Sequence, residues 1–148
     1  MSFVQKIANV ISKTAGWRVV VPDADGVVRF AMKDGLDMEL FSLDGRTAVF
    51  RSEIRLLPEH DLRSTQLVQK AAQLAVGVMK KRRSVLSLME HRLMLHATVH
   101  LDSPEALFSE TAEHFLNDLA WWRVQLGDAS GVPVPSSFTL NSFGSGRS

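Results

Sequence analysis

Two Asp-Gly pairs, Asp34-Gly35 and Asp44-Gly45, stand ten residues apart, each between apolar runs. Asp-Gly is a strong short-range hairpin signal, because the central residues of the tight primed turns need positive φ. Two such turns predict strands near 27–33, 36–43 and 46–57, joined as a three-stranded antiparallel meander. With two-residue loops at both turns, Phe30 shares a face with Glu39 and Phe50. Ala31 then shares the other face with Met38, Leu40 and Val49. Both faces are partly apolar on that register, so either a bulge shifts it or both sides of the meander are covered.

Helical spacing brackets the meander. Phe3, Val4, Ile7, Ala8, Ile11 and Ala15 form one apolar face over 2–15, with Gly16 as the stop. After Leu57-Pro58 a helix is predicted over 64–83, with Asp61 or Ser64 as N-cap. Its apolar residues (Leu67, Val68, Ala71, Ala72, Leu74, Ala75, Val76, Val78 and Met79) cover more than one stripe. Such a helix is normally buried on two sides, and one small sheet covers only one of them. Strands over 84–89 and 92–101 follow, turning at Glu90-His91. The last helix starts at Ser103-Pro104, an N-cap followed by a proline at the first position. Its apolar face is Phe108, Ala112, Phe115, Leu116, Leu119, Trp122 and Leu126, with Gly127 as stop. The whole reads as an α+β domain, α-β-β-β-α-β-β-α, an antiparallel sheet packed by helices over 1–126. A Gly/Ser/Pro-rich tail over 127–148 is expected to be flexible, with Phe138, Leu140 and Phe143 able to dock transiently.

Composition narrows the chemistry. The chain has 148 residues, with 17 basic against 16 acidic, and no cysteine. The charge balance argues against a nucleic-acid coat, and thiolate catalysis, disulfides and cysteine zinc sites are excluded. The amphipathic N-terminus lacks the apolar core of a secretory signal, and no stretch approaches the ~18 apolar residues of a membrane span. The expectation is a soluble, unexported protein with no membrane partner.

Three of five histidines lie in HRLMLHATVHLD, 91–102. On a strand, Leu93, Leu95, Ala97, Val99 and Leu101 share one face, while Arg92, Met94, His96, Thr98 and His100 share the other. His96 and His100 are then about 13 Å apart, too far to share a metal ion held at about 2 Å. His91 falls in the turn. The run Lys80-Lys81-Arg82-Arg83 reads as a helix end complementing the dipole, or as a nucleic-acid patch. Asp37 and Glu39 share a strand face and could do acid/base work, but Arg46, Arg51 and Arg55 favour cross-strand pairing. Of Trp121-Trp122, Trp122 belongs in the core and Trp121 is the surface candidate. No phosphate loop, dinucleotide fingerprint, catalytic set or cofactor site emerges.

The stretch SVLSLMEHRLMLHATVHLDSPEALFSETAEHFLNDLAWWRVQL, 84–126, resembles the C-terminal half of the class I type III secretion chaperones. That half is a hairpin ending in Leu-Asp, then a helix closing on a Trp-Arg pair. GVVRFAMKDGLDMELFSLDGRTAVFRSEI resembles the first three strands of that family. The resemblance implies a non-enzymatic bacterial cytoplasmic chaperone. It would hold the N-terminal segment of a secreted virulence effector, with the secretion-system ATPase as a further partner. It implies a homodimer, with Leu67, Val68, Ala72, Ala75, Val76 and Met79 at the dimer contact. By position, Phe3, Ile7, Ile11, Phe30, Met32, Met38 and Leu40 are the effector-patch candidates. On that expectation Ile7→Asp or Phe30→Asp weakens cargo binding and leaves the fold intact. The alternatives are a regulatory adaptor of the same fold, and a small-ligand protein or enzyme using the meander and the histidines.

Overall fold

The computed structural model describes residues 2–18, 20–32, 35–57 and 62–126. Helix α1 (Phe3–Ala15) is followed by strands β1 (Val28–Ala31), β2 (Asp37–Ser42) and β3 (Thr47–Leu56). Then come α2 (Leu62–Val78), the hairpin β4 (Val85–Met89) and β5 (Arg92–His100), and α3 (Glu105–Leu126). The strands form one antiparallel sheet in the order β1-β2-β3-β5-β4, so the predicted α+β architecture is the observed one. Asp61, the tail 127–148 and the aromatic residues in it lie outside the described residues.

Local chemistry sets the element ends. Ser2 caps α1 by accepting a hydrogen bond from the Gln5 amide at 3.1 Å. Gly16 closes α1 in the left-handed region at φ +74°, where a side chain would be strained. Glu90 and His91 both take positive φ, 47° and 65°, which makes the β4–β5 connection the two-residue turn expected of that pair. Helix α2 stops at Val78, five residues short of the predicted end, so the basic run lies beyond the helix rather than in its last turn. Leu101, expected to continue the β5 face, instead sits in the turn after that strand.

The meander's register differs from the two-residue-loop reading, and the difference sorts its faces. Ala31 pairs with Asp37, and Ser42 with Ala48. Each pairing is offset by one residue from the tight-turn register, with Gly35 and Gly45 in the left-handed region of longer connections. A one-residue offset exchanges the faces of a strand. Val28, Phe30, Met38, Leu40, Ala48 and Phe50 therefore share one buried face. Arg29, Glu39 and Arg51 share the other with Phe41, whose ring carries the Arg51 guanidinium at 4.6 Å. The apolar residues thus concentrate on the first face, while Phe41 and Val49 remain part-exposed on the second.

Helices α1 and α3 pack on the apolar face. Ile7, Ile11, Phe108, Phe115, Leu119 and Trp122 meet the strand side chains there, with Phe50 and Phe115 ring to ring at 6.1 Å. Helix α2 is seated shallowly by comparison, and Ala71 is its one fully buried residue.

Candidate interaction surfaces

β1 is an outer strand of the sheet, paired on one side by β2. The Met32 amide donates to the Leu36 carbonyl at 2.9 Å, which fixes the phase of the hydrogen-bond ladder. In an antiparallel ladder the exchanging residues alternate, so Val28, Phe30 and Met32 face β2. Arg29 and Ala31 then direct their backbone N–H and C=O groups outward from the open edge. Such an edge is a template for an added strand.

The seven effector-patch candidates divide sharply around this edge. Ile7, Ile11 and Leu40 are fully buried, Met38 is 1% exposed and Phe30 is 4% exposed. These five are the protomer's own core between sheet and α1, offering no surface to a partner. The expectation that Ile7→Asp or Phe30→Asp spares the fold is corrected by that burial, since an unpaired charge in a close-packed core is strongly destabilising. Phe3 and Met32 are partly exposed at the core's rim. Phe3 packs edge-on against Phe108 at 6.2 Å, and Trp17, also part-exposed, leans on Phe30 at 5.6 Å.

The second surface is at the opposite end of the sheet. Of the six dimer candidates, Leu67, Val68 and Ala75 are partly buried and packed against the core, while Ala72 and Val76 on α2 and Met79, one residue past its end, are exposed. Val76 is 71% exposed and Met79 66%. The outer strand β4 exposes Val85 and Met89 on one face and Leu88 on the other. Among the described residues, Ala72, Val76, Met79, Val85, Leu88 and Met89 are left exposed.

Helix α3 ties both regions to the core. Arg123 donates through Nη1 to the Gly35 carbonyl at 2.8 Å and through Nη2 to Asp37 Oδ1 at 2.7 Å. Its Nη2 and Nε also reach the Glu53 carbonyl, at 2.8 and 3.2 Å, and Nη2 reaches Ser52 Oγ at 3.3 Å. One fork thus clamps the β1–β2 turn to the middle of β3. Five residues earlier, buried Asp118 accepts from Arg82 Nη1 at 3.1 Å, the Ser84 amide at 3.2 Å and Ser84 Oγ at 2.6 Å. Arg82 also lies over Trp121 at 4.9 Å, and Trp121 stands edge-on to buried Trp122.

Sequence reasoning passed over these anchors. Asp118 carried a usable signal, because a carboxylate within an apolar helix stripe must find partners. The Trp-Arg pair ending α3 was noticed only as a likeness, not as a clamp.

The remaining polar candidates are paired within the chain, Glu39 across strands as expected and Asp37 with helix α3 instead. Glu39 pairs with Arg51 at 3.3 Å and Arg29 at 3.4 Å, and Arg29 also pairs with Asp23. Asp37 is held by Arg123. His96 contacts Ser87 Oγ through Nδ1 at 3.1 Å, and His100 contacts Thr47 at 3.4 Å. Burial holds the His96 pKa below the ordinary imidazole value, and the Arg51 charge adds to the effect. Among the described residues no group of three or more histidine or carboxylate side chains is placed to hold a metal ion. None of their helices is long and apolar enough to cross a membrane.

No protein-family model and no curated protein matches the chain. Solved structures do. The chain is similar to ExsC of the ExsC–ExsE complex, with 16% identity and a TM-score of 0.63 over 88% of this chain and 100% of that one. It is similar to SchA of the HopA1–SchA chaperone–effector complex, with 14% identity and a TM-score of 0.60 over 82% and 94% of the two chains. SycH, a type III secretion chaperone of Yersinia pestis solved with a stable fragment of YscM2, gives 9% identity and a TM-score of 0.56 over 83% and 98%. The fold is that of the class I type III secretion chaperones.

Proposed function

We propose that this chain is a non-enzymatic bacterial cytoplasmic chaperone that binds the N-terminal segment of a type III secreted effector as a homodimer. The observation that carries the reading is the shared fold with chaperones solved together with their protein partners. Two features of the described residues support it: a β1 edge left open to an extended cargo segment, and exposed apolar side chains on α2 and β4 for a second copy.

Magnitudes decide what the edge alone achieves. Arg29 and Ala31 offer four outward backbone groups, and a net hydrogen bond contributes about 1 kcal/mol. About 4 kcal/mol corresponds to roughly millimolar affinity, before the ordering cost of an extended cargo is subtracted. Apolar anchors must supply the rest. Phe3 and Met32 are the two patch candidates with surface to give, and methionine repacks readily around different partners. Ile7, Ile11, Phe30, Met38 and Leu40 act beneath them as the rigid floor. The dimer set narrows to Ala72, Val76 and Met79, with Leu67, Val68 and Ala75 packed against the protomer's core. The secretion-system ATPase is the partner expected to receive the loaded complex.

Co-expression with the first ~100 residues of each secreted protein encoded nearby tests the reading. A soluble complex of two chaperone chains per cargo segment, lost on removing an extended stretch of that segment, supports it. Cargo segments that stay insoluble or unbound in every pairing sink it.

A further inference from the structure

Helix α3 ends beside the β1–β2 connection. Arg123 donates to the Gly35 carbonyl, and the carbonyl of Leu126, the last helical residue, accepts from Arg55 Nη1 on β3 at 3.1 Å. From β3 across β2 and β1 to a position outside β1 is three strand spacings, roughly 15 Å. The sequence continues past Leu126 as GDASGVPVPSSFTLNSFGSGRS. Residues 127–136 can span up to about 33 Å, so the residues after them reach the open β1 edge. On the β4 side, α2 stands against the end of α3, with Lys70 Nζ on the Gln125 carbonyl at 3.2 Å. One short run of that sequence has the pattern of an edge strand. Phe138, Thr139, Leu140 and Asn141 alternate apolar and polar, with Pro133 and Pro135 upstream and Gly144 downstream. β1 is also four residues long, with Val28 and Phe30 buried and Arg29 and Ala31 exposed, so length and alternation match. Trp17, leaning on Phe30, and Met32, just past the strand, are apolar side chains left part-exposed beside it.

We infer that residues 138–141 of this chain's own C-terminal segment add to β1 as a further, antiparallel strand. The segment enters at the Ala31 end of β1, which sets the direction. Thr139 pairs with Ala31 and Asn141 with Arg29 through the outward backbone groups. That register sets Phe138 against Met32 and Leu140 against Phe30 and Trp17, continuing the apolar face of the sheet by one strand. The backbone pairing alone corresponds to about millimolar affinity, and a short flexible linker supplies an effective concentration of about the same order. Burial of Phe138 and Leu140 tips that balance to the docked state. The assignment does not need the chaperone reading. Under that reading, an extended cargo segment has to displace the tail from the same edge.

Amide hydrogen exchange of the full chain, followed residue by residue by NMR, tests it. The Arg29 and Ala31 amides point away from β2. They are expected to exchange tenfold or more slower in the unmodified chain than in Leu140→Asp or Thr139→Pro, the latter lacking the amide donor opposite Ala31. Phe143→Asp, beyond the paired residues, stays within threefold of the unmodified chain. The Leu95 and Leu116 amides, deep in the core, stay constant throughout and report an intact fold. Equal exchange at Arg29 and Ala31 in the unmodified chain and both variants overturns the inference, whether fast in all or slow in all. Slow exchange in all that varies with protein concentration identifies a second copy as the occupant instead. Phe143→Asp releasing the edge as fully as Leu140→Asp overturns it too, as does release at the Leu88 amide of β4 rather than at β1. None of these outcomes depends on cargo binding, so failure of the chaperone reading leaves the result standing.

Discussion

Replacing Arg123 by alanine removes the contacts that hold the β1–β2 turn against β3: two to the Glu53 carbonyl and one each to the Gly35 carbonyl, Asp37 and Ser52. Hydrogen bonds from a charged donor are worth about 1.5–3 kcal/mol each when isolated. These share one guanidinium, and its side chain is 23% exposed against 64% for Asp37, so water replaces part of what is lost. A total of about 2 kcal/mol is expected rather than the sum. Arg123→Lys should recover little. An ammonium keeps the charge opposite Asp37 but cannot reach the Gly35 and Glu53 carbonyls at once. Denaturant unfolding measures the stability change. Amide exchange should show it concentrated at Met32, Leu36 and Met38, with Leu95 and Leu116 little altered. A loss below about 0.5 kcal/mol, or full recovery by lysine, would refute the clamp.

Val76→Asp places a charge at an exposed position of α2, so melting of the protomer should be near unchanged while light scattering shows a shift from dimer to monomer. Ile7→Asp puts an unpaired charge at a fully buried site, and circular dichroism should report loss of the fold rather than a selective loss of cargo binding. His96 has its folded pKa below its unfolded value, so the unfolded chain binds the extra proton first and stability falls as pH drops below about 6.5. The difference in stability between the unmodified chain and His96→Gln, followed by urea unfolding from pH 7.5 to 5, should shrink along that fall; a constant difference would sink the assignment.

The element order was legible because each element is marked by chemistry local to it: Gly16 after an apolar helix face, Asp-Gly pairs, and Ser103-Pro104 before a helix. The inward face of β5, Leu93, Leu95, Ala97 and Val99, was legible from its alternation, although Met94 on the opposite face is buried as well. The meander's faces were not. Asp-Gly is compatible with a two-residue primed turn and with longer connections that put only the glycine at positive φ. One residue of difference moves Phe30 from beside Glu39 to opposite Met38. The patch residues went astray for the same reason, since a meander read as apolar on both sides has surface to spare. The anchors at Asp118 and Arg123 were illegible in a stronger sense. Arg82 and Asp118 are 36 residues apart, and Arg123 and Asp37 are 86 apart, so only the folded sheet brings them together.

Both anchors sit on α3, five residues apart, which is about 7.5 Å along a helix axis. Arg123 holds the turn next to the open edge strand, and Asp118 holds the corner between α2 and β4. The rest of the helix is fixed by Phe108, Phe115, Leu119 and Trp122, among the largest fully buried side chains in the chain. The two proposed surfaces lie at opposite ends of the sheet, and each has few buried side chains of its own: two on β1, Val28 and Phe30, and one on α2. Their positions are therefore set by polar ties to a common rigid element. Such an arrangement lets the outward residues of β1 and the exposed residues of α2 vary to suit a cargo or a subunit contact while the geometry between them stays constant. It follows that exchanging outward residues such as Val76 or Ala31 should change partner affinity without changing the fold. Changes at Arg123 or Asp118 should disturb a whole surface while leaving every side chain that touches the partner in place.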